Sequence, residues 1–236
     1  SDILYIYLND YANHAILEGI DTSKISIVGN PIVDIVNQWR HKIDSIDVYN
    51  ITKTKDFIFS TIHREENVEN EKTLRSIING FKKITEHSGI KIVMTLMPRT
   101  KSCLAKFGID YSGIDTIEPV GFFECLAMQR SARFILTDSG TIQEESCILG
   151  THCLTIRDST ERPQAMECGG GILAGTTEES IFEAYLNLSN LPTNWSHPFG
   201  SGDSSERIFL DIEKRISLDK KEMPWINSRI SRGWKK

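Results

Sequence analysis

No apolar run in this sequence approaches the roughly 20 residues that a membrane-spanning helix requires, and its 236 residues hold no internal repeat or low-complexity tract. A concentrated basic face is also lacking. The 27 Lys and Arg stand against 32 Asp and Glu, a net charge of −5, which argues against nucleic acid as a partner because phosphate-backbone binding needs clustered cations. The cations that do gather, Arg229, Arg232, Lys235 and Lys236, read as a solvated tail. Paired cysteine spacing is missing as well: Cys103, Cys125, Cys147, Cys153 and Cys168 are odd in number and form no CxxC. Buried reduced thiols in a cytoplasmic protein explain them better than disulfides or a zinc site. No signal peptide is recognisable. The start, Ser1-Asp2 leading without a Met into the apolar ILYIYL, reads as a cut through a longer protein.

What is present is ordinary for a soluble globular chain: 39% hydrophobic and 25% charged residues, in a length that can bury one core or one and a half. Short β-branched runs predict strands at Ile3–Leu8, Ile25–Val28, Asp56–Ser60, Ile90–Leu96, Asp115–Glu118, Arg133–Thr137, His152–Ile156 and Ile172–Ala174. Between them lie helical patterns. In Glu71–Glu86 a stripe of Leu74, Ile77, Ile78, Phe81 and Ile84 stands out; Phe122–Arg130, Ile142–Leu149, Glu178–Leu188 and Ser204–Ile216 follow. This alternation predicts an α/β class, a Rossmann-like parallel sheet with helices on both faces. Gly29-Asn30-Pro31 predicts a turn into a helix with Pro at its first position. The Pro-, Asn-, Ser- and Gly-rich stretch from Asn190 to Gly202 predicts a loop. The chain accordingly divides into 1–30 (the end of a preceding domain and a crossover), 31–203 (the Rossmann-like domain) and 204–236 (a last helix and tail).

In parallel sheets ligands bind beyond the carboxyl ends of the strands, which directs attention to three strand-to-helix junctions. Thr137-Asp138-Ser139-Gly140-Thr141 leads into a helix whose free N–H groups and aligned dipoles suit a diphosphate. Glu145, one turn on, offers an acceptor-only carboxylate that matches two ribose hydroxyls. The same residues also fit a plain helix capped by Asp138 or Ser139. Ser60-Thr61-Ile62-His63-Arg64-Glu65-Glu66-Asn67 brings His63 and Arg64 to a second junction, as phosphate contacts or as structural residues. Arg157-Asp158-Ser159-Thr160-Glu161-Arg162-Pro163 offers planar bidentate donors for phosphate, or an Arg–Glu network that only fixes a loop.

Taken together, the THREEN-like loop, DSGxxQEE, RxxTERPxA and the later GxxxLxG resemble the non-hydrolysing UDP-N-acetylglucosamine 2-epimerases, over residues 1 to about 210. Val28-Gly29-Asn30, His197-Pro198-Phe199-Gly200 and Ser205-Glu206-Arg207-Ile208 resemble further segments of that family. The resemblance implies one half of a two-domain GT-B architecture, usually a homodimer. It implies inversion of C2 of a UDP-N-acetyl sugar without a redox cofactor or metal, by elimination of UDP and its re-addition. By the same resemblance Ser139, Gly140 and Thr141 hold the diphosphate and Glu145 the ribose. Arg162 binds phosphate, His63 attends the departing β-phosphate, and Val120 to Cys125 line the uracil pocket. Arg64 matches a residue of a second, activating UDP-sugar site. The family's acid and base carboxylates belong to a first domain outside this sequence. Thr141 stands where many members have a second glycine, Met97 where His is common and Cys125 where a larger apolar residue is common. These departures leave the exact sugar open. A GT-B glycosyltransferase and a non-catalytic UDP-sugar-binding module are the competing readings.

Overall fold

The computed structural model describes residues 2–222, with side-chain environments to 216; Arg229, Arg232, Lys235 and Lys236 lie outside the described residues. The chain divides into two compact units, residues 1–37 with 199–236, and residues 38–198. In chain order the first unit begins with β1 (Leu4–Ile6), α1 (Asn9–Leu17), β2 (Ile25–Ile27) and α2 (Pro31–Gln38). The second holds α3 (Arg40–Ser45), α4 (Val48–Thr52), β3 (Phe57–Thr61), α5 (Glu65–Val68), α6 (Glu71–Ser88), β4 (Lys91–Thr95) and α7 (Pro98–Lys106). It continues through β5 (Ile114–Ile117), α8 (Phe122–Ser131), β6 (Ile135–Thr137), α9 (Gly140–Leu149), β7 (Cys153–Thr155), α10 (Gln164–Glu167), β8 (Gly171–Leu173) and α11 (Glu178–Leu186). The helix α12 (Ser204–Glu222) closes the described chain.

All eight strands fall where the sequence predicts them, with ends that differ by one or two residues; β3, β5 and β8 are each shifted by one residue. The helix after Gly29-Asn30 begins on Pro31 as expected. Six strands form one parallel sheet in the order β5-β4-β3-β6-β7-β8. Its inner strands β3, β4, β6 and β7 are buried on both faces because alternate residues enter different cores. Ile58, Ile92, Met94, Leu136 and Leu154 pack with Leu74, Ile77, Phe81 and Ile84 of α6, Leu104 of α7 and Ile181 of α11. Their neighbours Phe57, Phe59, Val93, Ile135 and Cys153 pack with Met128 of α8 and Ile142 of α9. The near-continuous apolar strand sequences follow from that double burial.

The amphipathic α6 shows how local sequence sets its limits. Asn70 caps the N-terminus by accepting from the Thr73 N–H at 3.1 Å. Gly89, at φ +71°, ends it in a left-handed turn that side chains disfavour. Gly80 lets α11 approach closely, since a Cβ there would lie 3.2 Å from Ile181 Cβ.

The first unit pairs β1 and β2 in a two-stranded parallel sheet. Tyr5 Oη donates to Asp211 of α12 at 2.9 Å, and the Ser204 and Ser205 N–H groups donate to the Asp34 carboxylate at 3.1 and 2.7 Å. Its exposed face carries Ile16, Leu17, Ile27, Phe209, Leu210, Ile212 and Ile216, with Leu17 at 84% and Phe209 at 64% exposure.

Phe81 is fully buried beneath α11 and the sheet, so Phe81→Ala loses transfer energy and opens a cavity. It is expected to cost about 3–5 kcal/mol in urea unfolding. A loss below about 1 kcal/mol would place the stability of this domain elsewhere.

Candidate functional site

The strand order places the site. β3, β4 and β5 run outward in one direction, and β6, β7 and β8 in the other. The order of winding reverses between β3 and β6, and the loops leaving their carboxyl ends part to form a crevice. At this point Thr61 Oγ1 and Thr137 Oγ1 meet at 2.7 Å, and Thr137 Oγ1 accepts from the Ser139 N–H at 3.0 Å. The junction after β3 carries His63 and Arg64; the junction after β6 carries Asp138 to Thr141; the neighbouring β7 leads to Arg157–Pro163. The three loops singled out in the sequence therefore emerge side by side.

Asp138 joins the first two. Its side chain is wholly buried and points to the β3–α5 loop, not back onto its own helix. The His63 N–H donates to both carboxylate oxygens at 3.1 and 3.0 Å. The Arg64 N–H donates to Oδ2 at 2.9 Å and Asn67 Nδ2 to the same oxygen at 3.1 Å. His63 Nδ1 lies 3.3 Å from Oδ1, with the His63 side chain 41% exposed. Burial pushes the Asp138 carboxyl above its usual range, while the donated hydrogen bonds and the His63 ring pull it back. Asn67 Nδ2 also donates to the Ile156 carbonyl at 2.9 Å, so the third loop is tied to the same point.

This arrangement bears on one reading of α9, that of a plain capped helix. Neither Asp138 nor Ser139 caps the helix: Ser139 occupies the N-cap position without a side-chain cap hydrogen bond, and its Oγ lies 3.1 Å from Thr141 Oγ1. The first-turn N–H groups are left without a side-chain cap. Arg162 crosses this helix end, since a Cβ on Gly140 would lie 2.9 Å from its Nη1 and 3.0 Å from its Cζ. Nη1 is buried without a hydrogen-bond partner among the described residues, 3.5 Å from Glu144 Oε2. The loop that carries Arg162 is fixed by other residues. Arg157 donates to Glu161 at 2.8 Å, Thr160 Oγ1 donates to Gln143 Oε1 of α9 at 2.9 Å, and the Arg162 N–H donates to Thr160 Oγ1 at 3.1 Å. An Arg–Glu network shapes this loop, and Arg162 extends from it to the start of α9.

One turn along α9, Glu145 accepts from Gln129 Nε2 of α8 at 2.6 Å. Burial raises its carboxyl above the ordinary value, and the Gln129 hydrogen bond opposes the rise. The same Nε2 lies 3.6 Å from Cys125 Sγ, whose thiol burial and the nearby Glu145 push up to about 11. Cys125 and Val120 pack at the edge of the core beneath α8. Arg64 leans away, 3.3 Å from Glu66 Oε1 and 3.6 Å from Glu161 Oε1. Met97 is the N-cap residue of α7. Gln129, Gln143 and Asn67 were not singled out from sequence. Their contacts span 16, 17 and 71 or more positions, a relation that local pattern does not carry.

The family profile described as UDP-N-acetylglucosamine 2-epimerase matches residues 1–213. The chain belongs to this family. A relative from Methanocaldococcus jannaschii named UDP-N-acetylglucosamine 2-epimerase is 39% identical over 206 residues, 83% of this chain and 56% of that protein. The crystal structure of M. jannaschii UDP-GlcNAc 2-epimerase in complex with UDP-GlcNAc and UDP superposes with a TM-score of 0.85 at 37% identity, over 91% of this chain and 61% of that one. The epimerase from Neisseria meningitidis bound to UDP-GlcNAc gives 0.78 at 25% identity, over 91% and 62%. The Rossmann-like sheet with helices on both faces is thus the fold of these GT-B enzymes. The chain spans about 60% of the length of the relatives it matches.

Gly140→Ala is expected to test the helix end. Its methyl group displaces the Arg162 guanidinium, a movable tip, and leaves the helix intact. UDP affinity should fall about tenfold or more, as for a lost charge-assisted hydrogen bond, while Tm stays within a few degrees. Unchanged affinity by calorimetry would take Arg162 out of the site.

Proposed function

We propose that the protein to which this chain belongs is an isomerase that interconverts UDP-N-acetylglucosamine and UDP-N-acetylmannosamine, or a close UDP-2-acetamido pair. The observation that carries this reading is the α9 N-terminus, which no side chain caps and beside which Arg162, His63 and Glu145 are each fixed by partners of their own. Ser139, Gly140 and Thr141 bind the diphosphate through backbone N–H groups and hydroxyls. Arg162 adds a cation. Glu145, held by Gln129, accepts the ribose hydroxyls, and Val120 and Cys125 line the uracil pocket. In the reaction the C2 proton is removed, the C1–O bond breaks with its electrons going to the β-phosphate oxygen, and 2-acetamidoglucal and UDP remain bound. Re-addition with opposite configuration at C2 completes the inversion.

His63 stands at the departing phosphate, where a donor is worth most as charge develops. The acid and base that act at C2 come from the other half of the intact protein. The 236-residue chain is therefore expected to bind uridine nucleotide weakly and to turn nothing over. Arg64 is the residue offered to a second, activating UDP-sugar. Its contacts with Glu66 and Glu161 and the thioether of Met97 in place of an imidazole make that site weak. Five free thiols suit a reducing cytoplasm. The resemblance supports, as part of the same proposal, a homodimer serving polysaccharide synthesis.

The unit formed by residues 1–37 and α12 supports a larger architecture. A two-stranded parallel sheet is marginal alone, and the apolar side chains exposed on this unit belong against further structure. We assign that unit to the domain that carries the remaining length of the family.

Two measurements test these readings. Incubation of the full-length protein with UDP-N-acetylglucosamine should give the C2 epimer, with incorporation of solvent deuterium at C2 and traces of 2-acetamidoglucal. A sugar transferred to an acceptor, with no epimer, would instead make it a glycosyltransferase. His63→Ala should lower kcat by about 10²-fold or more with little change in KM. Normal turnover with a raised KM would reduce His63 to a binding residue.

A further inference from the structure

Beyond the residues that meet the nucleotide, Asp138 holds a place that simple capping does not explain. It is wholly buried, on the strand-to-helix junction that leads into the diphosphate site, yet its carboxylate turns to the other loop. Two backbone N–H groups and Asn67 Nδ2 already satisfy it. The Oδ1 oxygen nevertheless faces His63 Nδ1 at 3.3 Å. The inner ring nitrogen thus lies within ion-pair distance of a group that only accepts, and the main chain of His63 is held by the same carboxylate. A carboxylate against Nδ1 selects the tautomer with hydrogen on that nitrogen and turns Nε2 outward. It also provides an opposite charge whenever the ring carries both protons. The same logic orients the histidine of hydrolase triads.

We propose that Asp138 is a positioning residue for His63: it fixes the imidazole as the Nδ1–H tautomer and aims Nε2 at the oxygen of the departing phosphate. The proposal rests on the epimerase reading for the identity of the phosphate, and its geometry stands apart from that reading. Three features make the pair specific. Asp138 directly precedes Ser139, so the histidine and the helix end that receives the diphosphate are anchored on adjacent residues. The ring's other nitrogen lies on a side chain that is 41% exposed, open to a ligand. Arg64, the next residue, donates only its backbone N–H to the arrangement and directs its guanidinium to Glu66 and Glu161.

Asp138→Asn is a defined test. The amide oxygen takes the Oδ2 position, where three donors converge, and the amide nitrogen then faces His63 Nδ1. That nitrogen must accept, so the ring is forced into the opposite tautomer. In the full-length protein labelled with ¹⁵N-histidine, wild type should show His63 with hydrogen on Nδ1 at neutral pH, the signal assigned by its loss in His63→Gln. Asp138→Asn should show hydrogen on Nε2. Its kcat should fall by about 10²-fold or more, KM and UDP affinity staying within about threefold. In the His63→Ala background the same substitution should change kcat by less than about twofold, because two residues acting as one unit are not additive. A wild-type ring protonated on Nε2 alone would overturn the proposal even if the variant failed to fold. So would a fall in kcat of equal size in the His63→Ala background. A normal kcat in His63→Ala, with the tautomer as stated, would remove the catalytic role of His63 and leave the positioning contact intact.

Discussion

A carboxylate sealed from water at the reversal point of a parallel sheet sets the local architecture. Among the described residues no lysine or arginine side chain is paired with Asp138; the acceptor is met by N–H groups of the β3–α5 loop, the Asn67 amide and the edge of an imidazole. Burying such a group without donors costs several kcal/mol, so the chain after Thr61 must turn its backbone N–H groups inward. That requirement leaves His63 and Arg64 at the crevice and starts α5 immediately beyond them. Asn67 must also face inward, and its amide reaches the Ile156 carbonyl. Three loops are thus drawn to one buried oxygen pair.

The surroundings of Glu145 obey the same rule with different atoms. Glu145 is largely withdrawn from solvent, and its carboxylate needs a donor, which Gln129 supplies across the gap between α8 and α9. Gln129 is itself fully buried, with its Oε1 lacking a partner among the described residues. Its amide orientation is set by the short bond to Glu145 and the longer contact with Cys125 Sγ. Each group that would touch ligand is set by a residue that would not: His63 by Asp138, Glu145 by Gln129, and the loop of Arg162 by Gln143 through Thr160.

That division explains what the sequence discloses. The strands are legible because burial on both faces leaves runs such as FIF and KIVM that nothing else would select. Their parallel arrangement follows from the alternation with α6, α8, α9 and α11. The helix α1, with the sequence NDYANHAIL and only Ala12 buried, offers no apolar stripe. The helix α7 buries only Thr100 and Leu104, and α3 and α4 are too short for a period to declare itself. The three functional loops are legible as strand-to-helix junctions of the right chemistry. Their supports are not, since Gln129 and Asn67 are defined by partners far along the chain. Asp138 is the instructive residue. Its position before a helix suggests a cap, and only the fold reveals that the carboxylate is committed elsewhere.

The uncapped α9 follows from that commitment. A side-chain cap is worth about 1 kcal/mol, and a sequence offering Asp, Ser and Thr in succession before α9 has every means to form one. Asp138 is held by the other loop, and Ser139 Oγ is within hydrogen-bonding distance of Thr141 Oγ1. Gly140 yields its flank to Arg162 in place of a side chain. The helix thus forgoes a cap that its own residues could supply, while the Arg162 guanidinium, whose buried Nη1 lies 3.5 Å from Glu144 Oε2 and makes no hydrogen bond among the described residues, crosses the same end. Local stability lost at one helix end in this manner is recovered when an anion meets both the N–H groups and the cation. The proposed diphosphate, with oxygens enough for each, would satisfy them at once.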